Sequence, residues 1–146
     1  MRSRIPVVAL AVLGLPLALR AQAPALAWGP APPVFPAGAK IAVLQGDPSQ
    51  AAFFTVRLEL PDGYRVAPHF HPTDEYLTVI SGTLNLGTGD KLEEAKAKPL
   101  SAGSIAIMQP KTNHFGWTKE ETVVQVHGIG PWGVTYVNPS DDPRKK

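Results

Sequence analysis

The chain has no cysteine among its 146 residues. No disulfide can staple it, so a core, a bound metal or a subunit interface must hold it together. A long apolar span is missing too. The uncharged run from Ile5 to Leu19 falls short of the roughly 20 residues that cross a bilayer, which argues against a stable membrane anchor. Charge is sparse at 18%, and no clustered lysine and arginine face with interleaved aromatics is present, which argues against a nucleic-acid partner. No serine or cysteine nucleophile stands out. Gly87-Thr88-Gly89 lacks the strand-to-helix cradle and following Lys and Ser or Thr of a phosphate loop.

What is present begins with a leader. Arg2 and Arg4 precede the apolar run, and the small residues of Ala21-Gln22-Ala23 and Ala25-Leu26-Ala27 follow it. This layout predicts a signal peptide over 1–23, with cleavage as late as 27, and a secreted or periplasmic protein. Removing Arg2, Arg4 and Arg20 leaves 11 basic against 12 acidic residues, so the basic balance belongs to the leader. Residues 24–39, rich in proline and alanine, are expected to form an extended arm that packs only if something receives it. One domain over 40–138 follows, and 139–146 is expected to be a polar tail.

That domain shows short alternating apolar segments divided by turn residues: 41–45, 52–60, 64–71, 75–81, 83–87, 104–109, 114–118, 122–129 and 133–137. The pattern predicts an all-β antiparallel sandwich or barrel. One short surface helix is expected over 90–98, where Asp90 offers an N-cap, DKLEEAKAK supplies helix formers and Pro99 a stop.

His69 and His71 stand two apart, so on an extended strand both rings leave the same face. Pro72, Thr73 and Asp74 break that strand, and Glu75 opens the next alternating run, which carries a carboxylate back toward the same spot. If Glu75 points inward, so do Leu77 and Val79, while Tyr76, Thr78 and Ile80 face outward and need a cover. A second subunit or the arm could provide it, and a homodimer is expected.

The motif Gly63, His69, His71, Glu75, Gly82 resembles the first motif of the cupin superfamily, G-x5-H-x-H-x3-E-x6-G, at every position. The second motif fits in part. Gly103 and His114 keep its spacing, but Gln109 stands where proline is usual, Lys111 replaces the turn glycine and Thr118 replaces the asparagine. The resemblance spans roughly residues 38–137. It implies a double-stranded β-helix (a jelly-roll barrel) with His69, His71, Glu75 and His114 meeting inside it around one divalent transition metal, copper, manganese, iron, nickel or zinc. Without Glu75, a three-histidine site favours copper or zinc. Export favours copper or manganese.

Other residues carry two readings. His127 is a structural residue or a proton carrier behind the metal, and the first reading is preferred. Trp117, Trp132 and Phe115 form a stacking platform for a sugar or aromatic ring, or they are core; the commoner fate of aromatics is core. The resemblance implies a metal-dependent oxidoreductase, dioxygenase- or oxidase-like, acting on a carbohydrate or small organic acid. A non-catalytic sugar- or small-molecule-binding protein is the alternative from another class, and a metal-assisted isomerase or lyase is the third reading. Fold does not decide among them.

Overall fold

The computed structural model describes residues 25–146; the expected leader over 1–23 lies outside them. Two antiparallel sheets face each other across a shared core. The larger contains β1 (Gly29–Pro30), β2 (Lys40–Gln45), β3 (Phe53–Leu60), β10 (Thr122–Ile129), β5 (Glu75–Ser81) and β8 (Ile105–Met108), in that order. The smaller runs β11 (Thr135–Tyr136), β4 (Arg65–Phe70), β9 (His114–Thr118), β6 (Thr83–Thr88) and β7 (Lys98–Ser101). From β3 onward the chain crosses between the sheets at every step except β6 to β7, the winding of a double-stranded β-helix. Among the described residues no helix is long and apolar enough to cross a membrane.

Alternation explains the layers. In β10, Val124 and Val126 turn inward, beside Leu58 and Val56 of β3 on one flank and Val79 and Leu77 of β5 on the other. Each such buried side chain contributes about 1.5–3 kcal/mol. Glu75, Leu77 and Val79 are buried while Tyr76 and Ile80 are exposed, so the inward and outward sets of β5 fall as the two-residue period requires. Between β5 and β6, Gly82 holds φ +73°, and an added Cβ would lie 2.5 Å from the Glu121 carbonyl oxygen, so this tight turn needs glycine.

The expected helix over 90–98 is corrected. Only Glu94–Lys96 forms a single 3-10 turn, with none of its residues buried, and Lys98–Ser101 is the edge strand β7. Nine residues without an apolar docking face are too few to sustain a helix, for which about 12 are marginal in water. Asp90 accepts a hydrogen bond from Asn113 Nδ2 at 2.6 Å, and Pro99 sits at the sheet edge opposite Asn85, where a missing N–H is tolerated.

The arm does find a receiver. Gly29–Pro30 pairs with β2, the Tyr136 hydroxyl donates to the Val34 carbonyl at 2.8 Å, and the Tyr64 hydroxyl donates to that of Pro36 at 2.7 Å. Burial raises both phenols, Tyr136 to about 12, so they remain protonated donors. Phe35, between them, is buried against Trp132 with ring centroids 5.4 Å apart. At the other end, residues 139–145 form two 3-10 turns, each begun by an Asn138 or Asp142 side chain accepting a backbone N–H.

Candidate metal centre

A bulge in β4 sets the position of the first histidine. Val66 pairs with Gly116 and His69 with His114, so three steps along β4 match two along β9. Without the bulge, three regular steps from inward-facing Val66 would leave His69 on the outer side of the sheet. With it, His69 faces the interior opposite His114. His71 lies one residue past the end of β4, and Glu75 is the first residue of β5.

The loop before His114 is completed by a residue that is not glycine. Lys111 takes φ 62°, in the left-handed region, and its N–H donates to the His71 carbonyl at 2.9 Å. The turn expected of glycine is therefore made by lysine, and it ties the His114 loop to His71.

The ligating atoms of His69, His71 and His114 lie within 4.8 Å of one another, and all three residues are buried. Each ring has its Nδ1 on a backbone carbonyl: Ala67 at 2.8 Å for His69, Gly133 at 2.7 Å for His71 and Thr112 at 2.9 Å for His114. A carbonyl only accepts, so each Nδ1 carries the proton and each neutral ring keeps its lone pair on Nε2, the tautomer a metal requires. The Nε2 of His71 is buried without a hydrogen-bond partner. Glu75 Oε2 stands 3.4 Å from the Nε2 atoms of both His71 and His114. This donor set fits a divalent transition metal, and the three imidazoles are the part that converges most closely.

Electrostatics follow from crowding. Burial, then the neighbouring His114 and His71, lower the pKa of His69 to about 3. Burial opposes charge on His71 as well, but the Glu75 carboxylate and the Gly133 carbonyl outweigh it and raise its pKa. Burial of Glu75 works to raise its pKa, yet His71 and His114 beside it hold it well below the usual carboxylate range.

These groups open on a chamber of about 60 Å³ whose other walls are apolar, among them Leu58, Leu77, Leu86 and Val126, with Phe35 and Trp132 lining it too. Trp132 stacks on His71 with ring centroids 5.8 Å apart. The three aromatics considered together in the sequence thus separate. Trp132 lines the chamber, whereas Phe115 and Trp117, 6.5 Å apart, lie buried on the other side of β9, where the Arg65 guanidinium sits 6.0 Å over Trp117. His127 is on the outer face of the larger sheet, stacked on Tyr76, and does not line the chamber. Sequence reasoning did not single out Phe35; an aromatic set between Pro33 and Pro36 in the arm is the signal that could have found it.

Comparison with solved structures gives the same fold. A protein with a double-stranded β-helix domain from Klebsiella pneumoniae is 26% identical over 64% of this chain and 79% of its own, with a TM-score of 0.51. An RmlC-like cupin from Shewanella frigidimarina is 17% identical, covering 64% of this chain and 78% of its own, with a TM-score of 0.54. The chain has the double-stranded β-helix fold of these proteins. A provisionally assigned acetylacetone dioxygenase from Methylibium petroleiphilum is 19% identical over 81% of this chain and 79% of its own, with a TM-score of 0.62. No protein-family model matches the chain, and no curated protein matches it.

Proposed function

We propose that this cupin is an exported, metal-dependent oxidoreductase acting on a small, mostly apolar molecule that presents adjacent oxygen atoms, such as an enolisable diketone. The observation that carries the reading is the set of three Nδ1–H groups held on carbonyls, which turns three Nε2 lone pairs and the Glu75 carboxylate toward one apolar chamber. His69, His71 and His114 would hold the ion, with Glu75 as fourth ligand or as the carboxylate beside it. A copper, manganese, iron, nickel or zinc ion held there supplies Lewis acidity toward the substrate's oxygens and, for the redox-active metals, an electron path to dioxygen.

The chain's own residues supply the rest. Glu75, ionised and 3.4 Å from the Nε2 atoms of His71 and His114, is placed to complete the donor set or to accept a hydrogen bond from a bound molecule. The leucine and valine walls exclude water and strengthen local electrostatics. Those walls offer no amide, hydroxyl or guanidinium for sugar hydroxyls, which favours an apolar oxygen chelate over a carbohydrate. The likeness in fold to the provisionally assigned acetylacetone dioxygenase supports the same choice. Export rests on Arg2, Arg4 and the apolar run that follows.

A second reading has its own observation. Organic-ligand pockets measure about 300 Å³ or more, well above this chamber, so an organic substrate must displace Phe35 or Trp132. A metal-binding protein without turnover needs no such movement.

The test is metal analysis of protein purified from its own compartment without chelators, followed by dioxygen uptake with 1,3-diketones and with monosaccharides. Stoichiometric metal and diketone-dependent uptake, both lost in His114→Ala, are expected. Metal without uptake on any substrate leaves the binding protein; no metal, with melting unchanged in His71→Ala, ends both readings.

A further inference from the structure

All but two of the residues that line the metal chamber belong to strands or, like His71, adjoin one. The exceptions are Phe35 and Trp132. Core strands open only at close to the cost of unfolding, so a molecule larger than the chamber enters past one of these two aromatics. Trp132 is poorly placed to move. Its N–H donates to the Pro48 carbonyl at 2.7 Å, its ring stacks on His71, and the next residue, Gly133, holds His71 Nδ1 at 2.7 Å. Shifting it would release a metal-binding ring. Phe35 has no such tie, because the carbonyls that orient the three histidines belong to Ala67, Gly133 and Thr112, none of them in the arm.

Phe35 sits on a loop built to swing. Pairing of Gly29–Pro30 with β2, and the Ala31 N–H donating to the Ala39 carbonyl at 3.0 Å, close residues 31–39 at their base. From 31 to 38 the chain forms turns instead of strand, and Phe35 is the one buried residue. Two hydrogen bonds join the tip to the barrel: the Tyr136 and Tyr64 hydroxyls donate to the carbonyls just before and just after Phe35. Outside the ring there is room. A groove of about 390 Å³ runs along the loop, lined by Pro30, Pro33, Pro36 and Pro143, and Phe35 is the one residue that it shares with the chamber. The ring is the partition between them. With it withdrawn, groove and chamber together exceed the about 300 Å³ of an organic-ligand site, which the chamber alone does not reach.

We infer that residues 31–39 form a lid, that Phe35 is its gate, and that a small apolar molecule reaches the metal centre from the proline-lined groove when the Tyr64 and Tyr136 hydroxyls release the loop. The substrate class rests on the function proposed above; the gate does not. Proline has no N–H to offer, so the groove receives an apolar or aromatic group in preference to a sugar. Each hydroxyl bond favours the closed lid by about fivefold, and losing both should raise the open fraction about 25-fold.

Amide exchange followed by nuclear magnetic resonance reads the gate without a ligand. The Phe35 amide should exchange at least 100-fold faster than that of Val126 in β10 and with little dependence on low urea, because the lid opens while the barrel stays folded. Stopped-flow mixing of the metal-loaded protein with acetylacetone and with the bulkier benzoylacetone, under nitrogen, reads the passage. Both binding rates should level off at one shared plateau, the rate of lid opening. Tyr64→Phe/Tyr136→Phe should raise that plateau at least fivefold, and Phe35→Ala should abolish it, each with the far-UV circular dichroism spectrum and metal stoichiometry retained. Phe35 exchange as slow and as urea-dependent as that of Val126 overturns the gate. So do diketone binding rates that neither variant changes, a result that leaves the diketone reading standing. Fast Phe35 exchange with no diketone bound by any of the proteins keeps the gate and refutes the diketone reading.

Discussion

Acidifying the metal-free protein should expose what it costs to crowd three imidazoles. His69 has a pKa of about 3 in the folded chain, against about 6.5 for an unperturbed histidine in the unfolded one. Between these values the unfolded state holds a proton that the folded state refuses, so stability falls as pH drops through that window. Each pH unit below 6.5 removes about 1.4 kcal/mol, which comes to about 2 kcal/mol by pH 5 and about 5 kcal/mol by pH 3. His71 acts in the opposite sense. Its raised pKa gives stability that is present below 6.5 and lost as pH rises through the folded value. Glu75, with a lowered pKa, gives stability that disappears only below its unfolded value of 4.5. The His69 contribution can be isolated by comparing urea midpoints of wild type and His69→Asn in chelator at pH 7 and pH 5. The wild type should lose about 1 M more of its midpoint than the variant, given a slope of about 1–3 kcal/mol per M. Parallel pH dependence in the two proteins would refute the reasoning, because His69 would then titrate alike folded and unfolded.

Metal binding should release a proton, since the raised pKa of His71 favours its charged form and the ring must lose that proton to ligate, and affinity should fall as pH drops; calorimetry in buffers of different ionisation enthalpy reads this directly. Lys111→Gly should stabilise the fold by about 1 kcal/mol, because glycine takes the left-handed region without the Cβ penalty, and the urea midpoint should rise. Phe35→Ala should cost about 3 kcal/mol in the same assay and enlarge the chamber, with Trp132 fluorescence becoming more accessible to iodide.

Much of the barrel was legible in the chain because a sheet with one face on a core repeats every two residues. β5, β9 and β10 fall on the bounds their alternation marks, and the inward set of β5 is the one read from Glu75. Local pattern fails where the outcome depends on a distant partner. Lys98–Ser101 has no alternation of its own and becomes a strand because β6 offers an edge, while Asp90–Ala97 has helical composition without a surface to dock on. At the candidate site, chemistry was legible and placement was not. The pairing of His69 with His71 is a spacing, but the bulge that turns His69 inward exists only in the register between β4 and β9. Phe35 closes the chamber from the arm, and nothing local to it tells which tyrosine hydroxyls will fasten the backbone on either side.

The unmatched residue between Val66 and His69 makes the centre sensitive to parity more than to identity. Many substitutions at Ala67 would leave the bulge intact, whereas drawing the same three steps into regular pairing would swing an imidazole to the far side of the sheet. Changes that straighten this short stretch at constant length should therefore be costly, and a protein so altered should keep its barrel while losing one of its three nitrogen donors.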